Sequence, residues 1–221
     1  GLTSVRFALA ASWEMAVAAI LVAALLDTMD GRLARMLGST SRFGAELDSF
    51  ADFVSFGISP ALVMYFLTLH QLEGKGWAVV LFFAVCMALR LARFNTRSIE
   101  GQTPSWSQAF FIGVPAPAAA ILAITPLIMH LEWKSKIFIN PIVVSCVMVL
   151  VGGLMVSQVP TYSFKTVKIP YKLVRPFLVV VTLLIASLFN APWLTLALIA
   201  CGYVATIPFS FRSYILQKPK E

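Results

Sequence analysis

The sequence predicts an all-α fold, a polytopic transmembrane bundle of about eight helices. Of its 221 residues, 59% are hydrophobic and only 12% are charged. The mean hydropathy of +0.86 is higher than a soluble domain of this size needs to fill its core. Several apolar stretches reach the roughly 20 residues that cross a hydrocarbon layer as a helix. These stretches are continuously apolar rather than alternating, which favours helices over a transmembrane barrel.

Seven apolar segments predict complete helices, with polar residues or Pro and Gly between them. They are residues 13–37, 43–69, 77–95, 107–129, 137–157, 173–189 and 192–211. Residues 1–11 are already apolar at the first position, and we interpret them as the end of a truncated first helix. Together these segments predict a single integral membrane domain over residues 1–221.

The basic residues predict the orientation in the membrane. The formal net charge is +7, and thirteen of the seventeen lysines and arginines fall on one set of alternate loops and helix ends, against three on the other. Cytoplasmic loops are enriched in lysine and arginine. We therefore expect a multi-pass protein of the inner (cytoplasmic) membrane that contacts anionic lipids. No basic segment interleaved with aromatic residues indicates a nucleic-acid partner.

Acidic residues inside membrane helices are costly and usually functional, and here they concentrate in one segment. On the second helix Asp27 and Asp30 are three residues apart. Gly31, Ala34 and Arg35 follow on the same face, because residues three or four apart are neighbours on a helix. The spacing predicts one polar stripe near the end of this helix.

The third helix repeats this arrangement. Gly44, Asp48 and Asp52 recur every four residues, and Ser55 and Ser59 are expected to continue the stripe. Glu46 lies on the opposite face. Two stripes of carboxylates on consecutive helices can converge on one site.

Four converging carboxylates would repel one another or take up protons unless cations held them. Two divalent ions would neutralise the four negative charges. Oxygen ligands select hard ions, so we expect Mg²⁺ or Mn²⁺. Such a neutral site can accept a pyrophosphate, whose remaining charge Arg35 is placed to meet. The charge balance therefore predicts phosphoryl-type chemistry.

The same residues carry a resemblance to a known family. The segment from Asp27 to Asp52 fits D-x2-D-G-x2-A-R-x8-G-x3-D-x3-D, the signature of the CDP-alcohol phosphotransferases, at every position. Within that family, DFVSFGISPA after Asp52, RLARFN at 90–95 and VPAPAAA at 114–120 resemble the bacterial phosphatidylserine synthases. The resemblance implies a six-helix catalytic core, residues 1–157, and two additional transmembrane helices in residues 158–221.

The resemblance also implies a reaction and roles for individual residues. The implied reaction transfers the phosphatidyl group of CDP-diacylglycerol to L-serine and gives phosphatidylserine and CMP. Two Mg²⁺ or Mn²⁺ ions would be held by Asp27, Asp30, Asp48 and Asp52, with Asp52 also the general base. CDP would contact a set of residues near the metals, namely Asp30, Gly31, Ala34, Arg35 and Gly44. The active site would face the cytoplasm, and the protein would form a homodimer.

The serine carboxylate and ammonium need a cation and an acceptor. Arg90, Arg93 and Asn95 are candidates at the cytoplasmic end of the fourth helix. The alternative interpretation is that the two arginines are helix-end residues that follow the positive-inside rule. The sequence leaves both interpretations open.

Three other functions stay open at this stage. The same enzyme class with glycerol phosphate or inositol phosphate as acceptor would need a denser basic pocket, which Arg90, Arg93 and Arg97 could supply. An ion or metal transporter would also place carboxylates in the membrane, although it commonly shows inverted repeats and carboxylates near the midplane. A structural scaffold would tolerate substitution of the aspartates.

Overall fold

The computed structural model describes residues 1–36, 42–100, 110–157, 160–162 and 174–217. Within these residues the chain is almost entirely helical. They are α1 (Leu2–Leu9), α2 (Trp13–Met36), α3 (Arg42–Asp52), a π-helix (Phe53–Ile58), α4 (Ser59–Leu67), a 3₁₀ turn (Leu69–Leu72), α5 (Gly74–Glu100), α6 (Ala116–Trp133), α7 (Pro141–Val156), α8 (Val174–Asn190) and α9 (Pro192–Gln217).

The helical bundle predicted from the sequence is confirmed. Helix α3, the π-helix and α4 follow one another without a break, so they correspond to the single apolar segment predicted at 43–69. Counted in this way, the described residues contain eight helices. Most of the predicted bounds agree with the structure to within a few residues, because the breaks fall at Pro, Gly and polar residues that end helices.

The helix predicted at 107–129 begins later than expected, at Ala116. Before it the structure has a short strand, β1 (Phe110–Ile112), which pairs antiparallel with β2 (Pro160–Tyr162). Two features delay the helix. Gly113 has a φ of +79°, which a right-handed helix does not accept, and Pro115 is the N-cap residue with Pro117 in the first turn.

In the described part of the chain, three helices are long and apolar enough to cross a membrane: Phe43–Leu67, Gly74–Thr96 and Ala116–Trp133. Three shorter apolar helices accompany them, at Pro141–Val156, Pro176–Asn190 and Pro192–Ile207. The multi-pass character of the chain is therefore confirmed. Many large apolar side chains on these helices are exposed, as expected for surfaces that face lipid.

Helix α6 lies at the centre of the packing and contacts α2, α4, α7, α9 and the π-helix. Four of its nine buried residues are alanines, whose small side chains let neighbouring helices approach closely. Helices α5 and α7 also pack closely, because a Cβ added at Gly152 would lie 2.8 Å from the ring of Phe82. The polar residues lie at the ends of α2, α3 and α5, outside this packed interior.

Candidate active site

Helices α2 and α3 bring three of the predicted metal ligands together. One carboxylate oxygen from each of Asp27, Asp30 and Asp48 can be chosen so that all three lie within 4.8 Å of one another. Asp27 and Asp30 come from α2 and Asp48 from α3, so the cluster joins the two acidic stripes. Asp27 is partly buried, and Asp30 and Asp48 are exposed. The predicted convergence of the two helices is therefore present in the structure.

Asp52, the fourth predicted ligand, lies one helical turn beyond Asp48 and is more deeply placed. Its side chain is within hydrogen-bonding reach of Asp27 and interacts electrostatically with Asp48 and Arg90. It is partly buried, whereas Asp48 is exposed. Asp52 thus lies on the inner side of the cluster, where bulk water competes less for its carboxylate.

The chemistry of the donor set suits a hard divalent cation. The three clustered groups are all carboxylates, and neither histidine nor cysteine is among them. Carboxylate oxygens favour Mg²⁺ and Mn²⁺, whereas zinc and copper sites usually include nitrogen or sulfur ligands. Glu46 on α3 is exposed and is not part of the cluster among the described residues. Of the acidic residues described on α3, the cluster therefore includes Asp48 and not Glu46, which lies on the opposite face.

The residues predicted to bind CDP lie around the same helix ends. Asp30 belongs to the acidic cluster, and Gly44 lies on the exposed first turn of α3. The backbone of Gly31, Ala34 and Arg35 is part of α2. Their side chains lie outside the described part of the structure, so their contacts with CDP stay a prediction.

The two arginines predicted to bind serine contact backbone carbonyl groups. Arg90 donates from Nε to the carbonyl oxygen of Val114 at 2.7 Å, and Arg93 donates from Nη1 to that of Val156 at 2.8 Å. Arg90 also interacts electrostatically with Asp52, Asp27 and Tyr203. Arg90 therefore connects the acidic cluster with the segment that precedes α6, and Arg93 connects α5 with the end of α7.

Asn95, the third candidate, contacts α3. Its Nδ2 donates to Oγ of Ser49 at 2.9 Å, and its Oδ1 lies 3.2 Å from the same hydroxyl oxygen. Ser49 follows Asp48 directly in the sequence. Ser49 was not identified from the sequence, where a serine beside an aspartate carries no distinctive signal.

The serine stripe predicted beyond Asp52 does not continue with α-helical spacing. The helix changes to a π-helix at Phe53–Ile58, so the i, i+4 pattern ends at Asp52. Ser59 is buried, and its hydroxyl donates to the carbonyl oxygen of Val54, five residues earlier, at 2.8 Å. A π-helix inside an α-helix often lies at a functional site, and this one begins directly after Asp52.

Comparison with known proteins agrees with this geometry. The family model described as CDP-alcohol phosphatidyltransferase matches residues 2–157, and a second one, described as CDP-alcohol phosphatidyltransferase 2, matches residues 172–208. The first match covers all four aspartates and α5. The chain belongs to the CDP-alcohol phosphatidyltransferase family. The resemblance seen in the Asp27–Asp52 segment is thereby confirmed.

Several relatives carry the name CDP-diacylglycerol–serine O-phosphatidyltransferase. The Mycobacterium leprae protein is 39% identical over 96% of this chain and 71% of its own length. The protein of Mycobacterium tuberculosis strain H37Rv is 39% identical over 100% of this chain and 77% of its own. The Helicobacter pylori 26695 protein is 36% identical over 78% of this chain and 71% of its own.

Proposed function

We propose that this family member transfers the phosphatidyl group of CDP-diacylglycerol to L-serine, giving phosphatidylserine and CMP. The observation that carries the proposal is the convergence of Asp27, Asp30 and Asp48 from two helices, with Asp52 beside Asp27. The names of the relatives support serine as the acceptor. The apolar helices around the cluster suit a substrate that stays in the bilayer.

In this proposal Asp52 acts as the general base, supported by its position beside Asp27 and Asp48. The serine hydroxyl oxygen attacks the phosphorus that bears diacylglycerol, the bond from that phosphorus to the bridging pyrophosphate oxygen breaks, and CMP leaves with the electron pair. The proton of the serine hydroxyl passes to the carboxylate of Asp52. Arg90, which interacts with Asp52, compensates part of the negative charge of the site.

Two divalent cations, Mg²⁺ or Mn²⁺, would be held by the four aspartates of the site, Asp27, Asp30, Asp48 and Asp52. When bound, the ions would neutralise the phosphate oxygens and polarise the phosphorus centre for attack. Bound between carboxylates of both helices, the ions would also offset the repulsion between the ends of α2 and α3. We further propose that Asp30, Gly31, Ala34, Arg35 and Gly44 contact CDP.

For serine, Arg90 and Arg93 are the proposed partners of the carboxylate, and Asn95 is a candidate for the ammonium. Each arginine uses one N–H on a backbone carbonyl, and a guanidinium has five N–H donors in all. Among the contacts within the described residues, this leaves N–H donors on both side chains for a carboxylate.

The site would face the cytoplasm in an inner-membrane protein, as the distribution of lysine and arginine suggests. Residues 1–157 would form the catalytic core, and residues 158–221 would add two transmembrane helices. The homodimer implied by the family is also part of the proposal.

Release of CMP from CDP-diacylglycerol by detergent-purified protein tests the function. We expect release that requires L-serine, requires Mg²⁺ or Mn²⁺, and stops when EDTA is added. Glycerol phosphate and inositol phosphate serve as alternative acceptors in parallel reactions. If one of them supported turnover and serine did not, the reaction class would stand and the acceptor would be wrong.

A further inference from the structure

Helix α3 has few buried side chains to fix its rotation about its own axis. Residues 43–48 are exposed, and only Ser49 and Asp52 are partly buried among the side chains described in this helix. A helix is usually oriented by an apolar face that packs against its neighbours, and α3 has no such buried face among its described side chains. Rotation of α3 would move Asp48 and Asp52 relative to Asp27 and Asp30. The buried π-helix and α4, which continue α3 without a break, fix its inner end, so a contact at the outer part of α3 would add most to the placement of Asp48.

The hydrogen-bonded pair of Ser49 and Asn95 joins this part of α3 to α5. Ser49 Oγ lies 3.1 Å from the carbonyl oxygen of Ala45, 2.9 Å from Nδ2 of Asn95 and 3.2 Å from Oδ1 of Asn95. A serine hydroxyl has a single proton but can also accept. With the amide N–H donating to Oγ and the hydroxyl donating to Ala45, donors and acceptors match along the chain. Asn95 on α5 is thereby connected, through the hydroxyl of Ser49, to the backbone of α3 at Ala45.

We infer that Asn95 is a positioning residue for the metal ligands, acting through Ser49 to set the rotation of α3. The inference rests on the proposed function, because it takes the aspartates as ligands of divalent cations. Ser49 follows Asp48 directly and precedes Asp52 by three residues, so fixing Ser49 fixes both carboxylates. Direct hydrogen-bond partners of metal ligands change metal affinity by roughly 10- to 100-fold, and a contact to the neighbouring residue should change it less.

Thr28 provides a matched control on the other metal-bearing helix. It follows Asp27 directly, as Ser49 follows Asp48, and its hydroxyl donates to the carbonyl oxygen of Ala24, four residues earlier, at 2.9 Å. Thr28 is exposed, and its hydrogen bond stays within its own helix. Thr28→Ala therefore removes a hydroxyl beside a ligand without removing a contact between helices.

The test measures Mn²⁺ binding and turnover for purified wild type, Ser49→Ala, Asn95→Ala, the double variant, Ser49→Thr and Thr28→Ala. Binding of Mn²⁺ is read by electron paramagnetic resonance in the absence of substrates. Turnover gives the half-saturating Mn²⁺ concentration and the KM for serine. Size-exclusion chromatography selects folded protein, and Ser49→Thr keeps the hydroxyl if the alanine variants fold poorly.

We expect Ser49→Ala and Asn95→Ala each to weaken Mn²⁺ binding in the absence of substrates by roughly 3- to 10-fold. In Ser49→Ala, which has no proposed contact with serine, the KM for serine should stay within about twofold of wild type. The double variant should bind Mn²⁺ no more weakly than the weaker-binding single variant, and Ser49→Thr and Thr28→Ala should match wild type. Unchanged Mn²⁺ affinity in Asn95→Ala, or additive effects in the double variant, would overturn the inference.

The same measurements separate this inference from the proposed function. Wild-type protein that bound Mn²⁺ but released no CMP would contradict the function, while the resonance titration would still decide the role of Asn95. Wild-type protein that released CMP with Asn95→Ala binding Mn²⁺ normally would contradict only the positioning role. Wild-type protein that bound no Mn²⁺ would overturn both.

Discussion

Arg93 on α5 donates a hydrogen bond of 2.8 Å to the carbonyl oxygen of Val156, the last residue of α7. The final carbonyl groups of a helix have no partner within the helix. Arg93 therefore supplies a hydrogen-bond donor to the last carbonyl group of α7 and joins this helix end to α5, against which α7 packs. This contact gives the side chain a structural role whether or not it also binds serine.

Replacing Arg93 with glutamine should lower the free energy of unfolding by about 1.5–3 kcal/mol, the usual contribution of a hydrogen bond to a charged group. The midpoint of thermal unfolding in detergent measures the change. Lys75→Gln removes the same charge from an exposed position on the same helix and should change stability by less than about 0.5 kcal/mol. Equal unfolding midpoints for the two variants would show that the contact with Val156 contributes little.

Asp52→Asn should leave the protein folded and reduce turnover by roughly 10²- to 10⁴-fold, since an amide cannot accept the proton of the serine hydroxyl. The measurement is CMP release at saturating serine. Glu46→Gln is the control, because Glu46 is an exposed carboxylate on α3 outside the acidic cluster. A variant at position 52 that kept wild-type turnover would remove Asp52 from the role of base.

Mn²⁺ should raise the unfolding temperature of the wild-type protein, because a ligand that binds the folded state stabilises it. At a concentration 100 times the dissociation constant the gain is about 2.7 kcal/mol. Asp48→Ala removes one of the three clustered carboxylates and should abolish most of this gain. Stabilisation of the Asp48→Ala protein equal to that of wild type would place the metal elsewhere.

Much of the fold was predictable because lipid imposes long apolar segments, and these appear directly in the sequence. The convergence of Asp27, Asp30 and Asp48 was predictable from helical spacing and from the family signature. The partners of Arg90 and Arg93 were not, because both are backbone carbonyls that carry no sequence signal. Helical spacing also could not reveal the change to a π-helix after Asp52, because a π-helix depends on packing around it.

Gly113 should tolerate no side chain. Its φ of +79° is unfavourable for any residue with a Cβ, and an added Cβ would lie 2.6 Å from the carbonyl oxygen of Met155. Gly113 also directly precedes Val114, the partner of Arg90. Gly113→Ala should therefore destabilise the protein by more than about 1 kcal/mol and lower turnover through displacement of Arg90.

Gly153→Ala is the matched control for this substitution. Gly153 lies in the interior of α7, is exposed, and has no atom within 4 Å of an added Cβ. Alanine there should stabilise the helix by roughly 0.5–1 kcal/mol, because glycine loses more conformational freedom on folding. Thermal unfolding of both variants, followed by CMP release, provides the comparison. If Gly113→Ala unfolded at or above the wild-type temperature, the turn before α6 would be able to relax around the new side chain, and Arg90 would not depend on this backbone conformation.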